Sequence, residues 1–461
     1  MKNELGNEEQ ILRGRVLSFD GNPAVDAANI RYFEDGLIHL KDGLVVAVGE
    51  ASTLLPAISQ GLRVTDHRPH LIMAGFVDPH LHMPQTQVIG SYGTELMEWL
   101  SRYTFPEESR YADKTVCDTA AGFLLDQLAA NGTTTAAAYC TSHPQSAESL
   151  FEESGKRGLR MVAGKVMMDR NAPAGLLDTP QRAYDESKAL IQRFNGLDRL
   201  TYAITPRFAP TSTEAQLEVA GVLAREHPDL PIQTHLSESL AEIDFVKDLF
   251  GWSRDYLDVY ERYGLVRRGA LFGHCIHLTM RERETLAQLQ GSAIFCPTSN
   301  LFLGSGLFDR AGLQASGVIT GIATDIGGGT SYSMLVTAAE GYKVLALRGE
   351  RMTAFEAFYW MSAGNAYAMA LDERIGRIAP GYEADLVVLD LAATPAMRHR
   401  MERAESLADQ LFALLIMGDD RAVVATYAMG RKIYDRKGTA TLPPRHEAPI
   451  TAVSAGWQSQ Q

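Results

Sequence analysis

Leu71-Ile-Met-Ala-Gly-Phe-Val-Asp-Pro-His-Leu-His82 is the stretch on which the reading of this chain turns. Leu71 to Val77 is an apolar run broken only by Ala74-Gly75, the composition of a strand buried on both faces. Asp78, His80 and His82 follow it at every second position. Side chains alternate across a strand, so these three share one face wherever the extended geometry continues. Two imidazoles on one face just past an apolar strand are a candidate pair of ligands for a divalent metal. They are equally a pair of surface or hydrogen-bonded histidines. The rest of the chain has to choose between these readings.

Working outward, the region from about Ala74 to Leu371 alternates short apolar runs with longer amphipathic stretches, the rhythm of repeated β-α units. After the first run come Thr133–Tyr139, Arg160–Val166, Leu200–Thr205, Pro231–Thr234, Ala270–Gly273, Ala293–Phe295 and Val318–Ala323. Helix-like segments such as Thr213–Arg225 and Glu282–Gln290 lie between them. Parallel strands in that number, each followed by a helix, predict a (β/α)8 barrel of the TIM type, with its chemistry at the C-terminal strand ends. Both chain ends read differently. Leu37–Leu40 and Gly43–Gly49 are strand-like, with Asp42-Gly43 as a hairpin signal, and Ile375–Asp390 and Ala422–Tyr427 carry a similar texture. The expected architecture is therefore α/β: a catalytic barrel over residues 74–371, and a small composite β-sandwich built from 1–73 and 372–461, the latter including a C-terminal extension.

Composition narrows the class. The 461 residues are 46% hydrophobic and 21% charged, ordinary for a globular protein with a large core. A formal net charge of -13 without any basic run would repel phosphate backbones and anionic lipid, which argues against nucleic acid and membrane surfaces as partners. The polar, acidic start MKNELGNEEQ has no apolar signal core, and no later segment gives an apolar span long enough for a bilayer. Cys117, Cys140, Cys275 and Cys296 are widely spaced, as free thiols of a reducing compartment would be, so the expected location is cytoplasmic.

A barrel gives the histidines company. The first run delivers His80 and His82, the fifth His235, the sixth His274 and the eighth Asp325, each the first strongly coordinating residue past its run. Several such residues at the functional end favour a metal centre over isolated satisfied polar groups. Imidazole nitrogen with one carboxylate oxygen suits zinc, and ferrous iron or manganese would accept a similar set. Zinc at an open site lowers the pKa of a bound water to about 7. Glu238, three residues beyond His235, could relay a proton from that water to a substrate without being a ligand.

More specific motifs accompany the ligands. Pro79-His-Leu-His-Met-Pro-Gln-Thr-Gln87, Glu98-Trp-Leu and Tyr103-Thr-Phe-Pro-Glu-Glu108 occur early. Thr205-Pro-Arg-Phe-Ala-Pro210, Thr234-His-Leu-Ser-Glu238, Cys296-Pro-Thr-Ser-Asn300 and Asp325-Ile-Gly-Gly-Gly-Thr330 follow. Through these the chain resembles the guanine deaminases of the amidohydrolase superfamily over most of the barrel. His-x-His alone reaches only the superfamily; the Pro-Gln-Thr-Gln, Thr-Phe-Pro-Glu-Glu and Pro-Arg-Phe-Ala-Pro segments narrow it. The resemblance implies one zinc per chain, held by His80, His82, His235 and Asp325. It implies Glu238 as proton shuttle, His274 as an orienting or electrophilic group, and Asp325 as a ligand that also helps take the water's proton. Gln85, Arg207 and the Phe208 backbone would bind the purine, with His235, Glu238 and His274 also facing it. A homodimer acting in purine catabolism or salvage is implied with them. Two-metal barrels of this kind usually carry a bridging carboxylated lysine near the end of strand four. Thr205-Pro-Arg-Phe208 has none there, and Lys165 belongs to strand three.

The chemistry is coherent beside the resemblance. Guanine offers a carbonyl at C6, a donor at N1 and an amine on C2; Arg207 has only donors, and Gln85 has both kinds of group. Other readings are a deaminase of another aminated heterocycle (a triazine or a modified guanine), a ring-opening amidohydrolase, and a barrel scaffold without activity. Gly327-Gly-Gly329 lacks the Lys-Ser/Thr of a phosphate loop and reads as a turn. Trp99, Tyr103 and Phe105 are candidates for an aromatic lid, for core packing, or for a subunit contact.

Overall fold

The computed structural model describes residues 9–58, 61–93 and 96–437. The polar N-terminal residues 1–8 and the C-terminal extension from 438 lie outside the described residues.

The strands are, in chain order, β1 (Gln10–Phe19), β2 (Ile30–Lys41), β3 (Leu44–Glu50), β4 (Arg63–Ala74), β5 (Phe76–His82), β6 (Thr133–Tyr139), β7 (Arg160–Gly164), β8 (Val166–Met167) and β9 (Leu200–Tyr202). Then come β10 (Thr205–Pro206), β11 (Ile232–Leu236), β12 (Ala270–His274), β13 (Ser292–Phe295), β14 (Ile319–Ile322), β15 (Leu386–Leu389), β16 (Val423–Ala428) and β17 (Arg431–Asp435). Strands from both ends of the chain share one seven-stranded sheet in the order β17-β16-β15-β4-β1-β2-β3. Its far edge curls back, because Val45 N–H donates to Tyr382 O and Ala384 N–H donates to Gly43 O. One face encloses Leu12, Val16, Ile38, Ile72, Leu386 and Val388, a separate apolar core. The β2–β3 hairpin turns at Asp42 and Gly43, whose φ values of 52° and 79° are the left-handed pair that a two-residue hairpin needs.

The apolar run Leu71–Val77 is two strands, not one. β4 ends at Ala74 inside the terminal sheet, and β5 begins at Phe76 inside the barrel. Gly75 sits between them, where a Cβ would come within 2.3 Å of Thr134 Oγ1. A continuous apolar run does not reveal such a break, because both strands are buried throughout this stretch.

Two parallel four-stranded sheets, β5-β6-β7-β9 and β11-β12-β13-β14, form the barrel wall, with the short pair β8-β10 beyond the third and fourth strands. Ile204 N–H donates to Pro231 O and Gln233 N–H to Ile204 O, which joins the halves on one side. Asp325 N–H donates to His80 O at 2.9 Å, and His82 N–H to Ile326 O at 3.2 Å, which closes the other. Val77, Ala137, Val162, Ala203, Leu271, Ile294 and Ala323 fill the interior, while alternate residues such as Phe76 and Phe272 pack outward under the helices. Each fully buried aliphatic side chain contributes about 1.5–3 kcal/mol.

The expected helices are present with shifted starts. Glu214–Glu226 begins after Thr213, whose side chain accepts from Gln216 N, and Met280–Leu289 begins after Thr279. Thr279 and Glu282 form a reciprocal capping box, so the second helix starts two residues before the Glu282 where apolar periodicity alone had put it.

Candidate active site

The residues singled out at the strand ends converge. His80 and His82 end β5, His235 lies in β11, His274 ends β12, and Asp325 follows β14. His82 Nε2 lies 3.1 Å from His235 Nε2, and both His80 Nε2 and His82 Nε2 lie 3.4 Å from Asp325 Oδ1. Asp78 does not share their outlook. The pairing of β5 shifts register between Asp78 and Leu81, and the Asp78 carboxylate instead accepts from Thr324 N–H and the Thr324 hydroxyl. Asp78 therefore stitches the first strand to the eighth.

The backbone makes room for this cluster. A Cβ at Gly273 would lie 2.5 Å from His80 Cε1, so the His80 ring fills the space a side chain would take. Ser237, His274, Cys275 and Asp325 all have φ between 51° and 72°, left-handed conformations that non-glycine residues rarely adopt and that recur at functional sites. Each turns the chain sharply at the end of its strand. Tyr139, at the end of β6, lies under the cluster, its ring centroid 4.6 Å from that of His82, 4.8 Å from His235 and 4.9 Å from His80. Nothing in the sequence singled out Tyr139, since an aromatic ending an apolar strand reads as core.

The electrostatics are those of a dry site. Burial, then the neighbouring imidazoles, hold His82 and His235 well below the ordinary histidine range. His235 Nδ1 is 2.7 Å from Arg207 O, which fixes the tautomer and leaves Nε2 facing His82 with a lone pair. Across 3.1 Å that lone pair either accepts from a His82 Nε2–H or, with His82 in its other tautomer, meets a second lone pair, an arrangement that a shared cation would stabilise. His80 Nδ1, His80 Nε2 and His82 Nδ1 are buried without a hydrogen-bond partner, a cost in any protein that holds nothing there. Asp325 adds the anionic oxygen: burial raises its pKa, but the close approach of the His80 imidazole, 3.4 Å away, and of His274 outweighs that and holds it below the usual carboxylate value.

Glu238 stands across from these atoms. Its Oε1 accepts from Ser305 Oγ at 2.9 Å, and its Oε2 lies 3.3 Å from His274 Nε2. Burial, then the carboxylates of Glu242 and Asp325, push Glu238 well above the ordinary range. Its backbone is pinned through the next helix: Ser239 and Glu242 form a capping box, and Glu242 Oε2 also accepts from Glu238 N at 2.9 Å. Asn300 Nδ2 donates to His274 Nδ1 at 3.0 Å, so the hydrogen of a neutral His274 sits on Nε2, toward Glu238. Burial lowers His274 to about 4, which keeps it neutral near pH 7. Asn300 lay in a quoted motif without a role, and Ser305 had no signal at all.

A cavity opens onto this group, lined by Gln85, Trp99, Leu100, Arg207, Phe208, Leu303 and Gly328 beside His82, His235, Glu238, His274 and Asp325. Trp99 is a wall of the cavity, its Nε1 donating to Ser91 O at 3.1 Å, whereas Phe105 packs against the Arg207 guanidinium behind the wall. The Glu108 carboxylate holds that guanidinium from a second side, accepting from Arg207 Nη1 at 2.8 Å and 2.7 Å. Lys165 is remote: fully buried, it pairs with Asp178 and with Glu186.

Residues 71–433 match the amidohydrolase family. Guanine deaminase of Escherichia coli (strain K12) is 47% identical over 415 residues, 90% of this chain and 94% of that protein. A solved structure of the E. coli guanine deaminase superposes with a TM-score of 0.91 at 46% identity, covering 93% of this chain and all of that one. Guanine deaminase from C. acetobutylicum, solved with guanine bound in its active site, gives a TM-score of 0.83 at 27% identity over 93% of this chain and 100% of its own. An adenosine deaminase from Xanthomonas campestris with bound zinc shares the fold, at TM-score 0.80 and 21% identity over 92% of each chain. Taken with the imidazole–carboxylate cluster at the mouth of a closed barrel, these likenesses establish that the chain belongs to the amidohydrolase family and, within it, to the guanine deaminases.

Proposed function

We propose that this protein hydrolyses guanine to xanthine and ammonia, with one zinc ion per chain held by His80, His82, His235 and Asp325. The observation that carries the reading is the joint one: three imidazoles and a carboxylate converge beside a cavity whose opposite wall offers Arg207 and Gln85. The donor set fits zinc, being imidazole nitrogen and carboxylate oxygen with unpartnered buried nitrogens among them. Zinc, when bound, supplies a water acidic enough to act near neutral pH.

The chain's own residues supply the rest. Arg207 donates to the purine O6, and Gln85 meets the adjoining edge, so that C2 and its amine face the histidine side of the cavity. Glu238 takes one proton from the attacking water and delivers it to N3; the second, released from the C2 hydroxyl with Asp325 assisting, passes through Glu238 to the departing amine as the C2–N bond breaks and the C2 carbonyl forms. Its raised pKa suits a carboxyl that must hold a proton part of the time. His274, neutral with hydrogen on Nε2, orients the water or the substrate, and Asp325 accepts a proton while keeping its place in the cluster. Trp99 and Leu100 exclude bulk water from the cavity.

A cytoplasmic homodimer is part of the same proposal. The four cysteines are free and buried, as a reducing compartment would keep them, and the homodimer follows from the resemblance to the guanine deaminases.

Ammonia release from guanine, adenine and cytosine, each with and without a chelator, tests the function. Guanine should be turned over with kcat/KM several orders of magnitude above adenine, and the chelator should abolish it. Against Arg207, adenine sets an amine where guanine has a carbonyl, leaving a buried polar group unpaired at about 1–3 kcal/mol. Adenine also has no amine at C2 to remove. Comparable kcat/KM on the two purines would overturn the assignment.

A further inference from the structure

Glu108 is fully buried, reached from the segment Tyr103-Thr-Phe-Pro-Glu-Glu108, and absent from the cavity lining. It nevertheless touches Arg207 and Gln85, the two side chains proposed to meet the purine O6 and its adjoining edge. Its two oxygens converge on one terminal nitrogen of Arg207, Nη1, at 2.8 Å and 2.7 Å. Its Oε1 also accepts from Gln85 Nε2 at 3.1 Å. Among the described residues, Arg207 Nη2 and Nε have no hydrogen-bond partner, although the residue is only 2% exposed. Those are the donors left for whatever enters.

A carboxylate paired with a guanidinium can only accept. Beside it, the Gln85 amide must turn its nitrogen inward, which sends its oxygen the other way. That oxygen is enclosed on its far side by Gly327, where a Cβ would lie 2.0 Å from Gln85 Oε1. The amide is therefore clamped between a carboxylate and a bare backbone, with one orientation open to it. Arg207 is clamped too, with the Phe105 ring 5.5 Å from its guanidinium carbon.

We propose that Glu108 is a positioning residue that sets the hydrogen-bond polarity of the pocket: through it Arg207 presents donors and Gln85 presents an acceptor. This matches a ring edge that carries a carbonyl beside an N–H, as a 6-oxopurine does. The inference rests on the purine reading above, and extends it to a residue that never meets the substrate.

Binding tests it without turnover. Hypoxanthine has the 6-carbonyl and the N1 hydrogen but no amine to lose, and purine has neither carbonyl nor amine. The Kd of each is measured on zinc-loaded protein, unmodified and as Glu108→Gln and Glu108→Asp, with zinc content alongside. An amide at position 108 can donate toward Gln85, which frees Gln85 to flip. Glu108→Gln should weaken hypoxanthine by about 10-fold to 100-fold, the worth of a charge-assisted contact, while purine changes less than about threefold and zinc is retained. Glu108→Asp, which keeps the charge at shorter reach, should recover part of that loss. Should Glu108→Gln not fold, the same selective loss in Glu108→Asp, smaller in size, supports the proposal. Parallel losses on both ligands, or an unchanged ratio in either soluble variant, overturn it. Guanine turnover by the unmodified enzyme is scored separately, so a failed substrate assignment is told apart from a failed role for Glu108.

Discussion

At the scale of single residues, the proposed proton carrier can be separated from the proposed ligands because the two sets do different physical work. Glu238 makes its contacts with Ser305 and His274, while the nitrogens of His80, His82 and His235 and one Asp325 oxygen make theirs with each other. Glu238→Gln keeps volume and can still meet Ser305 and His274, but it cannot exchange a proton. Zinc content measured by elemental analysis should stay unchanged while kcat falls by about 10²–10⁴-fold, the usual contribution of a positioned acid–base group. Loss of zinc from that variant would make Glu238 a ligand instead and reverse the assignment. The sequence made these residues legible because His80, His235 and Asp325 are strongly coordinating residues just past apolar runs, with His82 two beyond His80 and Glu238 three beyond His235, and a barrel sends such positions to one mouth. The roles of Tyr139, Ser305 and Glu108 were not legible for a related reason, although Glu108 lies in the Thr-Phe-Pro-Glu-Glu segment. These residues act on the site from beneath or behind, through packing or a neighbour's side chain, and no local pattern marks a contact made across the fold.

At the scale of elements, the His80 ring depends on a missing side chain in the strand facing it. Gly273→Ala would set a Cβ 2.5 Å from His80 Cε1 and 2.9 Å from His80 Nδ1. The ring has no free direction, since the rings of Tyr139 and His235 lie against it at centroid distances of 4.9 Å and 4.8 Å. Overpacking of this kind costs about 1–3 kcal/mol, and here the strain falls on a proposed ligand. Gly273→Ala should therefore weaken zinc retention against a competing chelator by at least about tenfold, the equivalent of 1.4 kcal/mol. Gly175→Ala, where a Cβ would meet nothing within 4 Å, serves as the neutral control. Equal zinc retention in the two variants would mean that the His80 position is not held by this packing. Strand and helix types were readable from periodicity, yet their ends were not: the break at Gly75 and the start at Thr279 depend on which sheet accepts a backbone and which side chain caps one.

At the scale of the whole molecule, the proposed ligands come from the first, fifth and eighth strands of the barrel. Those strands include both sides of its closure, where Asp325 N–H meets His80 O. The first strand also continues, across Gly75, the strand that anchors the terminal sheet. Arg199 adds a second tie, reaching Glu383 and Asp385 in the segment leading to that sheet. An ion bound at the mouth would thus cross-link the first and last strands of the barrel, and such a site exists only in the folded state. Free zinc at about 1,000 times its Kd should stabilise the protein by about 4 kcal/mol through mass action. The expected result is one zinc per chain, a Tm several degrees lower after chelation, and full recovery on adding one equivalent. His80→Ala should unfold at a temperature that zinc no longer moves. Lys165, buried against Asp178 and Glu186, is unavailable to bridge a second ion, so a second equivalent should add neither Tm nor turnover. Two tightly held ions per chain, both needed for activity, would overturn the single-zinc centre and return the ring-opening reading to contention.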